Sequence, residues 1–211
     1  MKTLITCAGT TIGEICLPPF ELRVGKVVCF QMPCLAYSEE EKRIIQALTG
    51  ERPALGLHLS GRVICTDPEK GFPQSFFQKL LFPFFRPRLS SWLEKTEGFP
   101  REQTKSILEG HGIGWDWRLG SIPWTSRNLI ALEVAWAKGA EVVVFSTIGL
   151  DPKGVQAIHK EIEKHFHHSA AIELSYSFWI GGQKKRDCFP GAACLDLTVR
   201  NSGVFSLATT K

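Results

Sequence analysis

Residues 27–50 read VVCFQMPCLAYSEEEKRIIQALTG, and their pattern predicts a strand, a short loop and a helix in that order. The continuous apolar run at 27–30 is typical of a strand that is buried on both faces. Ser38, followed three residues later by Glu41, forms a capping box, and apolar residues at helical spacing follow it. Gly50 then ends the helix. The unit is therefore a strand, loop and helix of an α/β fold.

The loop of this unit lacks the residues with which such loops bind phosphate. Phosphate loops need glycines, which let successive backbone N–H groups converge on oxygen, together with a Lys and a Ser or Thr that binds Mg²⁺. Residues 31–38, QMPCLAYS, contain neither glycine nor lysine, and Pro33 has no N–H. Ser38 and Glu41 can instead satisfy the free N–H groups at the start of the helix. We therefore expect an intact frame that is empty of phosphate.

Predicted strands and helices alternate along the rest of the chain. A strand or hairpin is predicted at 57–65, strands are predicted at 141–145, 170–174 and 194–199, and helices are predicted at 91–97, 101–110, 126–138 and 153–167. The strand at 57–65 is expected to pair with residues 15–22. Residues 71–90 are rich in aromatic residues and proline, which favours a connecting segment. This order predicts an α/β sheet with a helical insertion.

Composition limits the classes of partner. The 211 residues are 44% hydrophobic, and the net charge of +4 comes from acidic and basic residues that are interspersed. Such a balance does not predict a nucleic-acid partner, and the basic run at 184–186 is interpreted as a solvated turn. Because no apolar run reaches the roughly 18 to 20 residues that span a bilayer, we expect a cytoplasmic protein without a membrane span.

Cysteine and histidine patterns give no metal site from the sequence alone. The seven cysteines are an odd number without a C-x-x-C pair, so reduced and buried thiols are favoured over disulfides or zinc ligands. The HFHH run at 165–168 lies where a helix is predicted to end. Positive side chains stabilise such an end through the helix dipole, which is a simpler explanation than metal binding.

The order of these segments resembles the ATP-binding domain of the ABC ATPase family over nearly the whole chain. Five segments carry the resemblance: LRVGKVV at 22–28 with ALTG at 47–50, SGRV at 60–63, GFPQ at 71–74, RNLIALEVAWAKGAEVVVF at 127–145, and GLDP at 149–152. The resemblance implies a P-loop NTPase-like core with a small antiparallel β part, made of residues 1–74 and 122–211. Residues 75–121 then correspond to the helical subdomain that is inserted into this core.

The resemblance also assigns the catalytic positions of the family to residues without the required chemistry. The Walker B Asp that holds Mg²⁺ and the Glu that follows it fall on Ser146 and Thr147, and a hydroxyl cannot supply a carboxylate's charge. The Leu-Ser-Gly-Gly-Gln signature falls on IPWTS at 122–126, where two glycines have become Trp124 and Thr125. The switch His falls near Tyr176.

At two positions of the family pattern, this chain has the same residue type as the family. Gln74 matches the glutamine of the Q-loop, with Gln78 as a competing alignment and an ordinary polar loop residue as the other interpretation. Asp151 matches the Asp of the D-loop, which contacts the opposing protomer in this family. Asp before Pro152 is also a common helix start, and we favour this structural interpretation.

Together the residues favour a non-catalytic ABC-type homologue, a pseudo-ATPase that uses neither ATP nor Mg²⁺ and binds a protein partner. The resemblance implies an ABC-type subunit, the membrane component of a transporter, or a second copy as that partner. One alternative is a divergent ATPase that still binds ATP and Mg²⁺. Another is a module that binds a ligand or nucleic acid through aromatic residues that are exposed together, namely Trp115, Trp117 and several of Phe76, Phe77, Phe82, Phe84 and Phe85.

Overall fold

The computed structural model describes residues 1–32, 39–66, 87–176, 178–180, 183–185 and 188–199. The strands are β1 (Thr3–Cys7), β2 (Thr10–Ile12), β3 (Ile15–Leu17), β4 (Phe20–Arg23), β5 (Val27–Met32), β6 (Leu57–Leu59), β7 (Val63–Cys65), β8 (Val142–Ser146), β9 (Ala170–Tyr176), β10 (Phe178–Ile180), β11 (Gln183–Lys185), β12 (Ala193–Asp196) and β13 (Thr198–Val199). The helices are α1 (Glu39–Leu48), α2 (Leu89–Lys95), α3 (Arg101–Gly110), α4 (Trp124–Ala137) and α5 (Pro152–Lys164), with a 3₁₀ turn at Leu119–Ser121.

A five-stranded parallel sheet forms the centre of the fold. Its strand order is β12-β5-β9-β8-β7, and every neighbouring pair is parallel. All six residues of β5 and the first four of β8 are buried. Apolar runs of this kind are found where both faces of a parallel sheet are covered. The predicted α/β fold with a small antiparallel β part is confirmed.

Alternating residues of the central strands face two different cores. Val28, Phe30 and Met32 of β5 pack with helix α1 and with the N-terminal strands. Val27, on the opposite face, belongs to a second core, which holds helices α4 and α5. Helix α1 ends as predicted, since Gly50 follows it with a φ of +79°, which a residue with a side chain rarely adopts.

Strands outside the central sheet form the antiparallel part. One sheet has the order β4-β1-β6, another has the order β13-β3-β2, and β10 pairs with β11. The basic residues 184 and 185 therefore lie in a paired strand, and the solvated turn predicted for them is wrong in this respect. A local run of charge says nothing about whether a distant segment pairs with its backbone.

The segment at 57–65 was predicted as one strand or hairpin and is instead divided between two sheets. Strand β6 pairs with β1, and not with residues 15–22 as predicted, while β7 pairs with β8 in the central sheet. The change of sheet occurs at Gly61, where an added Cβ would lie 3.0 Å from the Leu4 side chain. The N–H groups of Ser60 and Gly61 both donate to the carbonyl of Leu4. The last predicted strand divides in the same way, into β12 and β13.

A third core lies under the helical segment. It is formed by buried residues of α2, α3 and the 3₁₀ turn, together with Ile130 and Val134 of helix α4. Leu132, Ala135 and Trp136 of the same helix belong to the core against the central sheet. Helix α4 therefore contacts both cores, which agrees with the apolar residues on most of its faces. The domain boundaries at 75 and 121 stay predictions.

Within the described ranges, no helix combines the length and the apolar composition that a membrane crossing requires.

Candidate functional site

The carboxyl ends of the central strands define the candidate site, because ligands of open α/β sheets bind beyond these ends. Strand β5 ends at Met32, and helix α1 begins at Glu39. The loop between them, with the predicted cap Ser38, lies outside the described residues. Glutamates occupy the whole first turn of α1, and Glu41 among them is buried. Carboxylates at this positive helix end stabilise the helix and disfavour a phosphate there.

Ser146 and Thr147 both lie at the end of strand β8. The hydroxyl oxygen of Ser146 accepts a hydrogen bond from the N–H of Ile148 at 3.3 Å. Thr147 is buried, and its hydroxyl donates to Oε1 of Glu173 at 3.0 Å. Both hydroxyls thus take part in contacts within the chain.

Glu173 is the centre of a buried polar cluster between the sheet and helix α5. Its side chain is fully buried. Oε1 accepts from Thr147 and lies 3.4 Å from Nε2 of His159, while Oε2 accepts from the N–H of Phe189 at 2.7 Å. Each carboxylate oxygen therefore has a partner within the chain. A buried carboxylate of this kind is stable only because its partners replace water.

Sequence reasoning missed Glu173, although one signal was present. It is the only charged residue in the predicted strand 170–174, AAIEL. A charged residue is almost never fully buried unless it is paired, so an acidic residue inside an apolar strand indicates a buried partner.

Asp151 has the role of helix N-cap that the sequence predicts. It precedes Pro152 at the start of α5, and its Oδ1 accepts from the N–H of Gly154 at 2.6 Å. This bond satisfies one of the free N–H groups of the first turn.

Replacing Asp151 by Ala should lower the free energy of unfolding by about 1 kcal/mol, because the N–H of Gly154 loses its acceptor. Asp151→Asn keeps a side-chain carbonyl oxygen and is the matched control, with an expected loss below about 0.5 kcal/mol. Urea denaturation followed by circular dichroism measures both. An Ala variant as stable as the wild type would contradict the capping role.

The segment aligned with the family signature, residues 122–126, is packed against the loop after β8. The indole N–H of Trp124 donates to the carbonyl of Ile148 at 3.4 Å. The guanidinium carbon of Arg127 lies 5.7 Å from the centre of the Trp124 ring. The resemblance aligns this indole ring with one of the paired glycines of the family signature.

The other predicted positions are only partly described. Gln74 and the competing Gln78 lie outside the described residues. Tyr176 is the last residue of β9 and is the register neighbour of Met32.

The aromatic residues of the alternative function are also only partly described. Trp115 is partly buried and packs against the helical core, and Trp117 is 43% exposed. The phenylalanines of the aromatic alternative lie outside the described residues, so that surface stays a prediction.

His165, the first residue of the histidine run, differs from its predicted role. His165 follows the end of α5, and its ring stacks on Trp136 with 3.6 Å between ring centres. Burial, followed by the charge of His168, lowers the pKa of His165 below its ordinary value of 6.5. His165 is therefore mainly neutral at pH 7, and a positive charge acting on the helix dipole does not explain it. Stacking on an aromatic ring is the structural reason for its position.

Three cysteines from distant parts of the chain come together beside Glu173. The thiol of Cys29 on β5 donates to the sulfur of Cys188 at 3.0 Å, and Cys194 on β12 is the register neighbour of Cys29. Burial raises the pKa of the Cys29 thiol and raises that of Cys188 to about 11. Cys7 and Cys29 are buried as predicted, whereas Cys194 is exposed because it lies on a strand at the edge of the sheet.

Three solved structures that resemble the chain come from ABC transporters. One is cbiO1 of Clostridium perfringens, part of the ABC transporter complex cbiONQ, at 12% identity and a TM-score of 0.57 over 88% of each chain. Another is a putative ABC transporter ATP-binding protein of Pyrococcus furiosus, at 11% identity and a TM-score of 0.60 over 92% of this chain and 97% of that one. A nucleotide-free ATP-binding cassette from an ABC transporter has 13% identity and a TM-score of 0.54 over 87% and 90%.

The chain thus has the fold of an ABC ATP-binding domain. At these identities the likeness concerns the fold alone. No protein-family model and no curated protein sequence matches the chain.

Proposed function

We propose that this chain is a non-catalytic homologue of ABC ATP-binding domains that acts by binding a protein partner. The hydrogen bond from Thr147 to Glu173 is the observation that carries the proposal. Thr147 stands where the resemblance requires the Glu that orients the attacking water. Its hydroxyl is instead committed to a carboxylate that faces the interior, so the position serves folding.

The start of helix α1 supports the same function. A phosphate group needs free N–H groups and positive charge at a helix N-terminus. Here Glu39, Glu40 and Glu41 place negative charge in the first turn. Lys42 holds the Glu39 carboxylate at 2.6 Å and lowers the pKa of that group. The acidic first turn therefore disfavours the phosphate groups of a nucleoside triphosphate at this end of the sheet.

The partner in this proposal is either an ABC-type subunit or a second copy of the chain. The solved structure of cbiO1 is described as part of a transporter complex, which supports a partner of this class. The chain would act in the cytoplasm and reach a membrane only through such a partner. ATP and Mg²⁺ are not required.

Calorimetric titration with Mg-ATP tests the loss of nucleotide binding. We expect no binding with a Kd below about 1 mM and no release of phosphate. An active ABC ATP-binding domain, titrated in the same buffer, is the positive control. Submillimolar binding with phosphate release would contradict the proposal and favour the divergent ATPase.

Sedimentation equilibrium separates the two kinds of partner. A second copy as partner predicts a concentration-dependent dimer whose Kd is unchanged by Mg-ATP. A chain that stays monomeric favours an ABC-type subunit, which can then be tested by adding purified ATP-binding subunits of candidate transporters.

A further inference from the structure

The fold brings together three cysteine sulfurs that are far apart in the sequence. Cys29 lies in strand β5 of the central sheet, and Cys194 is its register neighbour in the parallel strand β12. Cys188 precedes β12 in the sequence by a few residues. All three sulfurs lie within 4.8 Å of one another. Parallel pairing places Cys29 and Cys194 side by side, so the cluster results from the register of the sheet.

A buried polar side chain, Gln31, lies against two of the three sulfurs. Gln31, two residues after Cys29 on the same face of β5, is 2% exposed. Its Nε2 donates to the sulfur of Cys29 at 3.3 Å and to that of Cys188 at 2.9 Å. N–H groups that point at sulfur stabilise thiolates and orient them as outer-sphere partners do in metal sites.

The same Gln31 side chain has an unsatisfied atom. Its Oε1 is buried and has no hydrogen-bond partner within the described part of the protein. Buried amide oxygens are nearly always paired, so this oxygen requires a polar partner that the described residues do not supply. Glu173, opposite Cys29 in strand β9, adds negative charge to the neighbourhood.

We propose that Cys29, Cys188 and Cys194 bind Zn²⁺, a d¹⁰ cation of borderline softness, through three thiolates, with a fourth position open at the exposed Cys194 side. Zn–S bonds of about 2.3 Å in tetrahedral geometry require sulfurs about 3.8 Å apart. The sulfurs of Cys29 and Cys188 lie 3.0 Å apart, which is below this value, and no two sulfurs of the cluster are more than 4.8 Å apart. Side-chain rotations therefore suffice to close the site.

Ligand chemistry distinguishes this cation from Mg²⁺ or Ca²⁺. Hard cations take carboxylate and carbonyl oxygens, whereas thiolates select Zn²⁺ and Cu(I). The nearby carboxylate oxygens of Glu173 already accept from Thr147 and Phe189. The proposed site uses thiolates and not these carboxylate oxygens as ligands, and it does not depend on the proposed function.

The test uses the full chain, reduced with a phosphine, freed of metal by a chelator and kept without oxygen. Zn²⁺ is titrated against a chromophoric chelator, and Cd²⁺ is titrated separately to observe thiolate-to-metal charge-transfer absorption. We expect one equivalent of either ion and a charge-transfer band whose intensity corresponds to three thiolates. Cys194→Ser, at an exposed position, should weaken Zn²⁺ binding at least about tenfold and reduce the band by about one third.

Cys16→Ser is the matched control, because Cys16 is a partly buried thiol outside the cluster, and it should change neither the affinity nor the band. Absence of binding by the reduced wild type would overturn the proposal. Equal binding by Cys194→Ser and the wild type, or Cd²⁺ binding without the charge-transfer band, would also overturn it. So would a Cys29–Cys188 disulfide that persists under the phosphine, which mass spectrometry of the intact chain detects.

Discussion

Replacing Glu173 by Ala should lower the free energy of unfolding by about 3–5 kcal/mol. The substitution removes the acceptor of the Thr147 hydroxyl and of the Phe189 N–H, and it leaves His159 without its neighbour. Each buried donor left without a partner costs about 1–3 kcal/mol, and the empty volume adds to this loss. Urea denaturation followed by tryptophan fluorescence and circular dichroism measures the change.

Two further variants show whether the loss comes from the hydrogen bonds. Glu173→Gln keeps the volume and one acceptor oxygen, so its loss should be smaller than that of the Ala variant. Glu163→Ala, at an exposed position of helix α5, should change stability by less than about 0.5 kcal/mol. If Glu173→Ala were as stable as Glu163→Ala, the carboxylate would not hold this part of the fold together.

The elements of the fold could be predicted because they depend on local patterns. The apolar run of β5, the helical spacing of α1 and the glycine that follows α1 each act over a few residues. Helix α3 begins at Arg101 as predicted, and the proline before it, Pro100, has a fixed backbone angle that suits a helix start.

The assignment of strands to sheets could not be predicted in the same way. Residues 57–59 and 63–65 both have strand character, but their partners are β1 and β8. The pattern of one segment does not contain the position of another segment that is far along the chain. The change from one sheet to the other at Gly61 depends on the close contacts that this residue makes with Leu4 and Glu141 in the folded chain.

The polar and sulfur clusters depend even more on distant contacts. Cys29 and Cys188 are 159 residues apart, and Thr147 and Glu173 are 26 apart. The sequence showed that Thr147 lacks the charge of a catalytic residue. It could not show that the same hydroxyl has a buried partner, because that contact exists only after β8 and β9 pair.

Replacing Thr147 by Glu, the residue that the resemblance places there, should not restore ATP hydrolysis and should destabilise the protein by about 3 kcal/mol or more at pH 7.5. Thr147 is buried beside Glu173, so the new carboxyl meets a carboxylate that is already fully buried. Like charges at short distance raise the pKa of the added group. Thr147→Val removes the hydroxyl without adding charge and is the matched control.

The pH dependence of this variant has a definite sign. The pKa of the added carboxyl in the folded state lies above its unfolded value of about 4.3, so its neutral form is favoured in the folded protein. The stability deficit relative to Thr147→Val should therefore be smallest below about pH 4 and should grow as the pH rises through the folded pKa. Urea denaturation measures this deficit from about pH 4, which is near the unfolded pKa, to about pH 8, which is just above neutrality.

Glu173→Gln in the Thr147→Glu background identifies the cause. Because the substitution removes one of the two charges, the double variant should recover at least about 1 kcal/mol relative to the sum of the single changes. Additive changes would show that the two side chains do not interact. A Thr147→Glu protein that is as stable as Thr147→Val at pH 7.5 and hydrolyses Mg-ATP would mean that this position faces a working nucleotide site, contrary to the proposed function.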